Sequence, residues 1–302
     1  MPLIAYGQNF EDVLLNRCFA DQETGFYVDV GAWHPTNENV TKIFYDRGWH
    51  GVNVEPVPTY WKMLEGDRVR DTNLQLAVGD KAGTLELTVF EGSGGSSFDD
   101  RFVQSFAAAG FAPTKIQVKT ATLTEIFEQY VPRGTNVDFL KIDVEGWEDR
   151  VVAGMDWKRF RPRVVLIEAT LPNSWTPNWE AWEPSLIAQG YRQVWFDGLN
   201  RWYLADEAYE SLKQHFNRPP CIHDNFITAP HAAALEYVRA AWDKKTLDPS
   251  TLPHANALAI LQWKEIEAAR HELAWYKSHT PFKLLKALLG KKLTDRKWNS
   301  IG

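Results

Sequence analysis

Four carboxylates stand where four apolar runs stop. Asp29 lies in Phe26-Tyr27-Val28-Asp29-Val30, Glu55 follows Gly51-Val52-Asn53-Val54, Asp143 closes Val137 to Ile142, and Glu168 closes Val164-Val165-Leu166-Ile167. A carboxylate so placed can accept hydrogen bonds from neighbouring hydroxyls, offset a cation, or take a proton from a weak nucleophile. Each alone reads equally well as a cap of the helix that follows; recurrence at four successive runs favours one shared site. Glu145 adds an acid two residues past Asp143. His34, in the loop after Asp29, is the histidine nearest the set, and a packing or helix-start role suits it as well. Lys141 shares a strand face with Phe139 and Asp143. A lysine inside a central strand is rarely buried alone, so Glu168 and Asp29 are its expected partners, in a structural ion pair or as part of a catalytic set.

The elements that must position these residues follow from periodicity. Strands are expected over 26–30, 51–55, 74–78, 137–143 and 164–168. Helical stretches are expected up to Arg47 and over about 59–69, 123–130, 147–155 and 182–189. This alternation is that of a mostly parallel sheet. Residues 84–90 alternate as a half-exposed strand, residues 91–97 read as a flexible loop, and the core is expected to resume at 116–119. Two apolar runs around Asp197-Gly198 and Asn200, over 194–204, predict a closing hairpin. In open α/β sheets ligands bind at the carboxyl ends of the strands, which is where the four acids stand. Gly31 admits a ligand close to the backbone, and Ala77-Val78 offers an apolar flank. The glycine fingerprint of dinucleotide folds and the P-loop are both missing, so a pyrophosphate cradle is not expected. A ligand with an ammonium and a sulfonium but no phosphate, S-adenosylmethionine, suits an acidic turn better, with Glu55 placed for its ribose hydroxyls.

The chain has 302 residues, 44% hydrophobic and 24% charged, with a formal net charge of −6. That balance disfavours nucleic acid as a partner, which calls for a basic face. Cys18 and Cys221 are far apart and suggest neither a disulfide framework nor a zinc site. With no basic leader, and no run near the roughly 20 apolar residues that span a bilayer, a cytoplasmic location is expected. Among 14 tryptophans, Trp33, Trp147, Trp175 and Trp179 fall in loops, as packing anchors or as flat platforms for a sugar ring. Residues 1–230 read as one domain and 231–302 as a helical extension. Residues 281–302 carry six Lys or Arg against one acid, with a leucine face. Such a segment could dock on the anionic inner face of a membrane, contact a glycosyltransferase complex, or cap its own domain; a homo-oligomer is left open.

Several motifs are also similar to a known family. Tyr27-Val28-Asp29-Val30-Gly31-Ala32-Trp33-His34-Pro35, Gly51-Val52-Asn53-Val54-Glu55-Pro56, Ala77-Val78-Gly79-Asp80 and Leu140-Lys141-Ile142-Asp143-Val144-Glu145-Gly146 resemble, in that order, the FkbM family of methyltransferases. Tyr6 to Asp12 resembles the N-terminal element of members encoded among polysaccharide genes, as do Ile167 to Asn173 and Phe196 to Arg201. Gly95-Ser96-Ser97-Phe98 resembles a further family segment, with Gly95 in place of a more usual apolar residue. The resemblance covers about residues 4–230. It implies an α/β, Rossmann-like class I methyltransferase with a mostly parallel seven-stranded sheet ending in an antiparallel hairpin, followed by the helical extension. It implies S-adenosylmethionine as cofactor, held by Gln8, Asp29, Gly31, Ala32, Glu55, Pro56, Ala77, Val78, Ser96 and Asp143. The expected reaction is O-methylation of a sugar or glycan hydroxyl, with a lipid or natural-product acceptor and a non-catalytic glycan-assembly scaffold as rivals. Asp143 is the first candidate base, then Glu168 and Glu145, with Lys141 and His34 nearby. A second route has Asp143, Glu145 and Glu168 present a hard oxygen site to Mg²⁺, although no metal motif assigns it.

Overall fold

A computed structural model describes residues 2–243 apart from 91, 93 and 173, with side chains to residue 236. The segment read above as basic (281–302), and with it most of the expected helical extension, lies outside the described residues. The chain divides into two compact units, Met1–Phe226 and Ile227–Gly302. The first contains β1 (Leu3–Ala5), α1 (Glu11–Cys18), β2 (Phe26–Val30), α2 (Lys42–Asp46), β3 (His50–Val54), α3 (Pro58–Asp67), β4 (Thr72–Leu74) and β5 (Ala77–Val78). It continues with β6 (Gly83–Phe90), α4 (Asp100–Ala108), β7 (Pro113–Ala121), α5 (Leu123–Tyr130), β8 (Phe139–Ile142), α6 (Glu148–Ala153) and β9 (Val164–Glu168). It closes with α7 (Glu183–Ala188), β10 (Tyr191–Phe196), β11 (Asn200–Ala205) and α8 (Asp206–Leu212). After β12 (Phe226–Thr228), the second unit is described as the single helix α9 (Ala229–Asp243). No helix among the described residues is long and apolar enough to cross a membrane.

Seven strands form the central sheet in the order β10-β11-β9-β8-β2-β3-β4. The pairs from β9 through β4 are parallel, and β11 runs antiparallel to both β9 and β10. Every residue of β2, β8 and β9 is buried, on both strand parities. Both faces of the sheet are therefore covered, which is why these runs are apolar throughout and do not alternate. The four acids singled out first stand at the carboxyl ends of the parallel strands: Asp29 and Glu168 within β2 and β9, Glu55 and Asp143 directly after β3 and β8.

The expected strand over 74–78 is in fact two. β4 ends at Leu74, whose carbonyl accepts from Glu55 N at 3.0 Å. The chain then joins a second sheet, β5-β7-β6, where Ala77 and Val78 pair with Thr120 and Ala121. Residues 116–119 likewise belong to this sheet and not to the central one. β7 alternates, with Val118 and Thr120 buried between exposed Gln117 and Lys119, as a strand with one solvent face should. A small apolar cluster of Val57, Tyr60, Ala77, Leu87, Val89 and Val118 holds it against the main body, with Trp33 and Phe98 packed on its margin. Helix α4, not foreseen from periodicity, buries Phe102 and is capped by Asp99, which accepts from Arg101 N at 2.7 Å.

The N-terminal segment is tied to the far end of its unit. Arg17 pairs with Asp224 at 2.5 Å and donates to the carbonyls of Arg218 and Pro219. Asp12 accepts from Tyr6 N and Gly7 N, Asn9 Nδ2 donates to Asp197 O at 2.9 Å, and Asn200 Nδ2 donates to Glu11 Oε1 at 2.9 Å. These bonds fix the Tyr6–Phe10 turn, and with it Gln8, over the β10–β11 connection.

A second polar knot lies inside the unit. The Arg68 guanidinium is buried and reaches Asp71 (3.1 Å), Asn39 Oδ1 (3.0 Å), Tyr27 OH (2.8 Å), Thr41 Oγ1 (2.7 Å) and Pro35 O (3.2 Å). Asp71 in turn accepts from Gly51 N and Asn53 Nδ2. The knot clamps the loop after β2 onto β3. Arg68→Met leaves the Asp71 carboxylate buried without its counter-charge. We expect the urea-unfolding free energy to fall by about 3–5 kcal/mol; a loss below about 1 kcal/mol would mean that the loop is held by other contacts.

Candidate active site

A cavity of 590 Å³ opens at the carboxyl ends of the parallel strands. On the β2–β3 side its wall is largely backbone. Gly31 has φ 81°, and a Cβ there would lie 1.7 Å from Asp143 O, so only glycine fits. Gly31 N and Ala32 N both donate to Val54 O, at 3.0 and 3.1 Å. Glu55 is buried and accepts from Trp33 N (2.9 Å) and Val57 N (2.7 Å). Burial pushes its pKa up to about 7 against the pull of those two amides. Each of its oxygens keeps a second lone pair for a ligand hydroxyl. Pro56, Ala77, Val78 and Ser96 complete this part of the wall, and the exposed side chain of Gln8 lines the cavity from the N-terminal turn.

The centre of the site is the Lys141 ammonium. Asp29 and Lys141 are register partners on adjacent strands. Lys141 Nζ lies 3.4 Å from Asp29 Oδ1 and 3.3 Å from Asp143 Oδ2, and it donates to Gly31 O at 3.0 Å. Burial alone would lower the lysine pKa, but Asp143 and Asp29 outweigh it and raise it. Burial raises the pKa of Asp29 despite Lys141, and its Oδ1 has no hydrogen-bond partner. The expected partnership with Glu168 is not formed. Lys141 stands opposite Leu166, which puts Glu168 two residues beyond it, and Asp143 takes that place.

Residues 29–193 match the family model of the methyltransferase FkbM domain, more than half of the chain. The chain belongs to the FkbM methyltransferase family. It is also 25% identical over 186 residues to methyltransferase sdnD of Sordaria araneosa, covering 52% of this chain and 70% of that protein. The matched span holds Asp29, Glu55, Lys141, Asp143 and Glu168, whereas Gln8 and the β11 edge lie outside it.

On the β8–β9 side this FkbM methyltransferase gathers further carboxyls. Glu145 is half-buried at φ 55°, a left-handed conformation unusual for its type, and its carbonyl accepts from Ser97 Oγ at 2.5 Å. Glu168 is 8% exposed, and its Oε2 has no hydrogen-bond partner. Burial and then the surrounding acids, Asp143 and Glu148 together with one another, raise both pKa values well above the ordinary range, with Lys141 opposing. Glu148, not singled out from the sequence, is also part of this group. It is buried, accepts from Val144 N (3.2 Å), Gly146 N (3.1 Å) and Asn178 Nδ2 (3.2 Å), and thereby braces the turn that carries Glu145. Its position as the first residue of α6, after Gly146, was the available signal.

Two expectations need correction. Among the described residues, no group of three or more His, Cys, Asp or Glu is arranged to hold a metal ion, so Asp143, Glu145 and Glu168 do not make the Mg²⁺ site considered above. Asp143 is instead paired with Lys141, at 3.3 Å. His34 is not on the cavity wall. Its Nδ1 accepts from Thr36 N and Asn37 N at 3.0 Å each, which closes its own loop, and burial lowers its pKa. Of the loop tryptophans, Trp33, Trp147 and Trp175 line the cavity; Trp179 instead packs beneath Arg201, 4.4 Å from its ring.

Two outcomes follow from this geometry. Gly31→Ala should abolish ligand binding and lower stability by more than about 1 kcal/mol, since the strain of a positive φ adds to the clash; retention of both properties would show that the Asp143 loop can retreat. Glu55 has a folded pKa of about 7 against an ordinary 4.5. Between those values the folded chain holds a proton that the unfolded chain has lost, so stability must fall as pH rises through the window. Unfolding free energy measured in urea from pH 4.5 to 7 should decline with pH, and decline less steeply in Glu55→Gln; a rise across that window in the parent chain would contradict the assignment.

Proposed function

We propose that this FkbM methyltransferase is S-adenosylmethionine-dependent and methylates a hydroxyl of a sugar or glycan, on a class I, Rossmann-like scaffold. The observation that carries the cofactor reading is the pairing of Glu55 with the glycine-only contact at Gly31 across the ends of β3 and β2. The residues fit the group. Glu55 suits vicinal ribose hydroxyls, Ala77 and Val78 suit an adenine face, and Asp29 Oδ1, which has the Lys141 ion pair but no hydrogen bond, suits an ammonium. The parallel strand order with its antiparallel β10–β11 edge supports the class I architecture.

When bound, S-adenosylmethionine supplies a methyl group activated by a sulfonium leaving group. The chain's own task is to hold an acceptor oxygen in line with that carbon and to take its proton. Asp143 is the best placed carboxyl: it lines the cavity, its side chain is 33% exposed, and Lys141 steadies it. Asp143 would take the proton that the acceptor hydroxyl gives up on methylation, the bound cofactor supplying the methyl carbon and a thioether leaving group. Glu168 and Glu145, which burial holds toward their neutral forms, are poorer acceptors of that proton than Asp143. A sugar is favoured by Trp175, 82% exposed on the cavity wall, which offers the kind of flat apolar face on which pyranose rings stack.

Calorimetric titration with S-adenosylmethionine and S-adenosylhomocysteine tests the cofactor half. Micromolar binding is expected, lost in Glu55→Ala. Affinity should strengthen as pH rises through about 7, because the ionised carboxylate is the better acceptor for ribose hydroxyls. A folded chain that binds neither ligand would overturn the proposal.

A further inference from the structure

The cavity is lopsided in charge. Among the described residues, six acids line it, Asp29, Glu38, Glu55, Asp143, Glu145 and Glu168, against one cation, Lys141. That cation is already shared among Asp29, Asp143 and the Gly31 carbonyl. A phosphorylated or carboxylated acceptor would enter a field of its own sign, with no arginine, histidine or second lysine among the described residues of the wall to receive it.

The acids also divide by location. Asp29 and Glu55, on β2 and β3, suffice for the polar end of the cofactor. Glu145 and Glu168, at the ends of β8 and β9, remain. Glu168 is more than nine-tenths buried, with an oxygen that no donor among the described residues reaches. Glu145 is set beside it by a left-handed turn that Glu148 and Ser97 both brace. Two neighbouring carboxyls, one with an unanswered acceptor, call for a ligand group that brings several donors and a positive charge. A protonated amine has three donors and one charge.

We propose that the acceptor is an amino sugar, its ammonium held by Glu168 and Glu145 while a neighbouring hydroxyl receives the methyl group. This rests on the methyl-transfer reading above. The ammonium has no free lone pair, so holding it in charged form also directs methylation to oxygen. Without a ligand, burial and mutual repulsion keep the two carboxyls toward neutral; a bound cation reverses that balance, so binding should release protons to buffer.

The test uses the full chain saturated with S-adenosylhomocysteine. It is titrated calorimetrically with glucose and glucosamine, galactose and galactosamine, mannose and mannosamine, and with glucose 6-phosphate. A charge-assisted pair predicts that in at least one couple the amino sugar binds about ten-fold or more tightly than its neutral counterpart. Its heat should depend on buffer ionisation, and glucose 6-phosphate should not bind. Glu168→Gln should remove the preference while retaining S-adenosylhomocysteine affinity, which also shows that the variant is folded. Absence of a preference in all three couples, a preference that survives in Glu168→Gln, or tighter binding of the phosphate would overturn amine recognition alone. Failure of the parent chain to bind S-adenosylhomocysteine would overturn the cofactor reading and this inference with it.

Discussion

The ends of β2 and β8 can lie side by side only because one ammonium sits between them. Asp29 is 1% exposed, Asp143 leaves the next strand, and without Lys141 the two carboxylates would share a nearly dry space. Uncompensated charge there costs several kcal/mol. The same ammonium holds the Gly31 carbonyl and so sets the course of the loop that walls the cavity on one side, while Asp143 begins the loop on the other. One side chain thus fixes both halves of the site relative to each other.

The Arg68 knot does comparable work deeper in the unit. It secures Pro35, Asn39 and Thr41, so the loop after β2 is held at its near end by Lys141 through Gly31 and at its far end by a guanidinium. Asp29 feels both cations, and burial still raises its pKa. The interior of this fold therefore runs close to the least positive charge that its acids tolerate, which is consistent with a cavity left to be completed by charge from outside.

Much of this was legible in the chain. Strand parity alone put Lys141 and Asp143 on one face, and apolar runs ending in acids marked the edge of the sheet at which the cavity opens. Parity does not give stagger between neighbouring strands, however, and this is why Glu168 was expected where Asp143 is found. The apolar run from Leu74 to Val78 is continuous, and nothing in its pattern marks the point at which the chain changes sheets; that is decided by pairing with Thr120 and Ala121, more than forty residues away. Helix α4 buries a single residue, Phe102, and follows closely on a glycine- and serine-rich stretch, so its amphipathic pattern sits in a segment that otherwise reads as loop. Glu148 looked like an ordinary first-turn acid, and only the fold reveals that its carboxyl turns back to the loop before it.

The setting of Trp175 has an optical consequence. Trp49, Trp182 and Trp202 are sealed in the core, whereas Trp175 is the one strongly exposed tryptophan among residues whose side chains are described. An indole in water emits at longer wavelength than one in an apolar interior and is open to collisional quenchers. Among the tryptophans whose side chains are described, the red edge of the emission, and its quenching by acrylamide, therefore belong largely to a residue on the cavity wall. Within that set, Trp175 is an unlabelled reporter of whether the wall is covered.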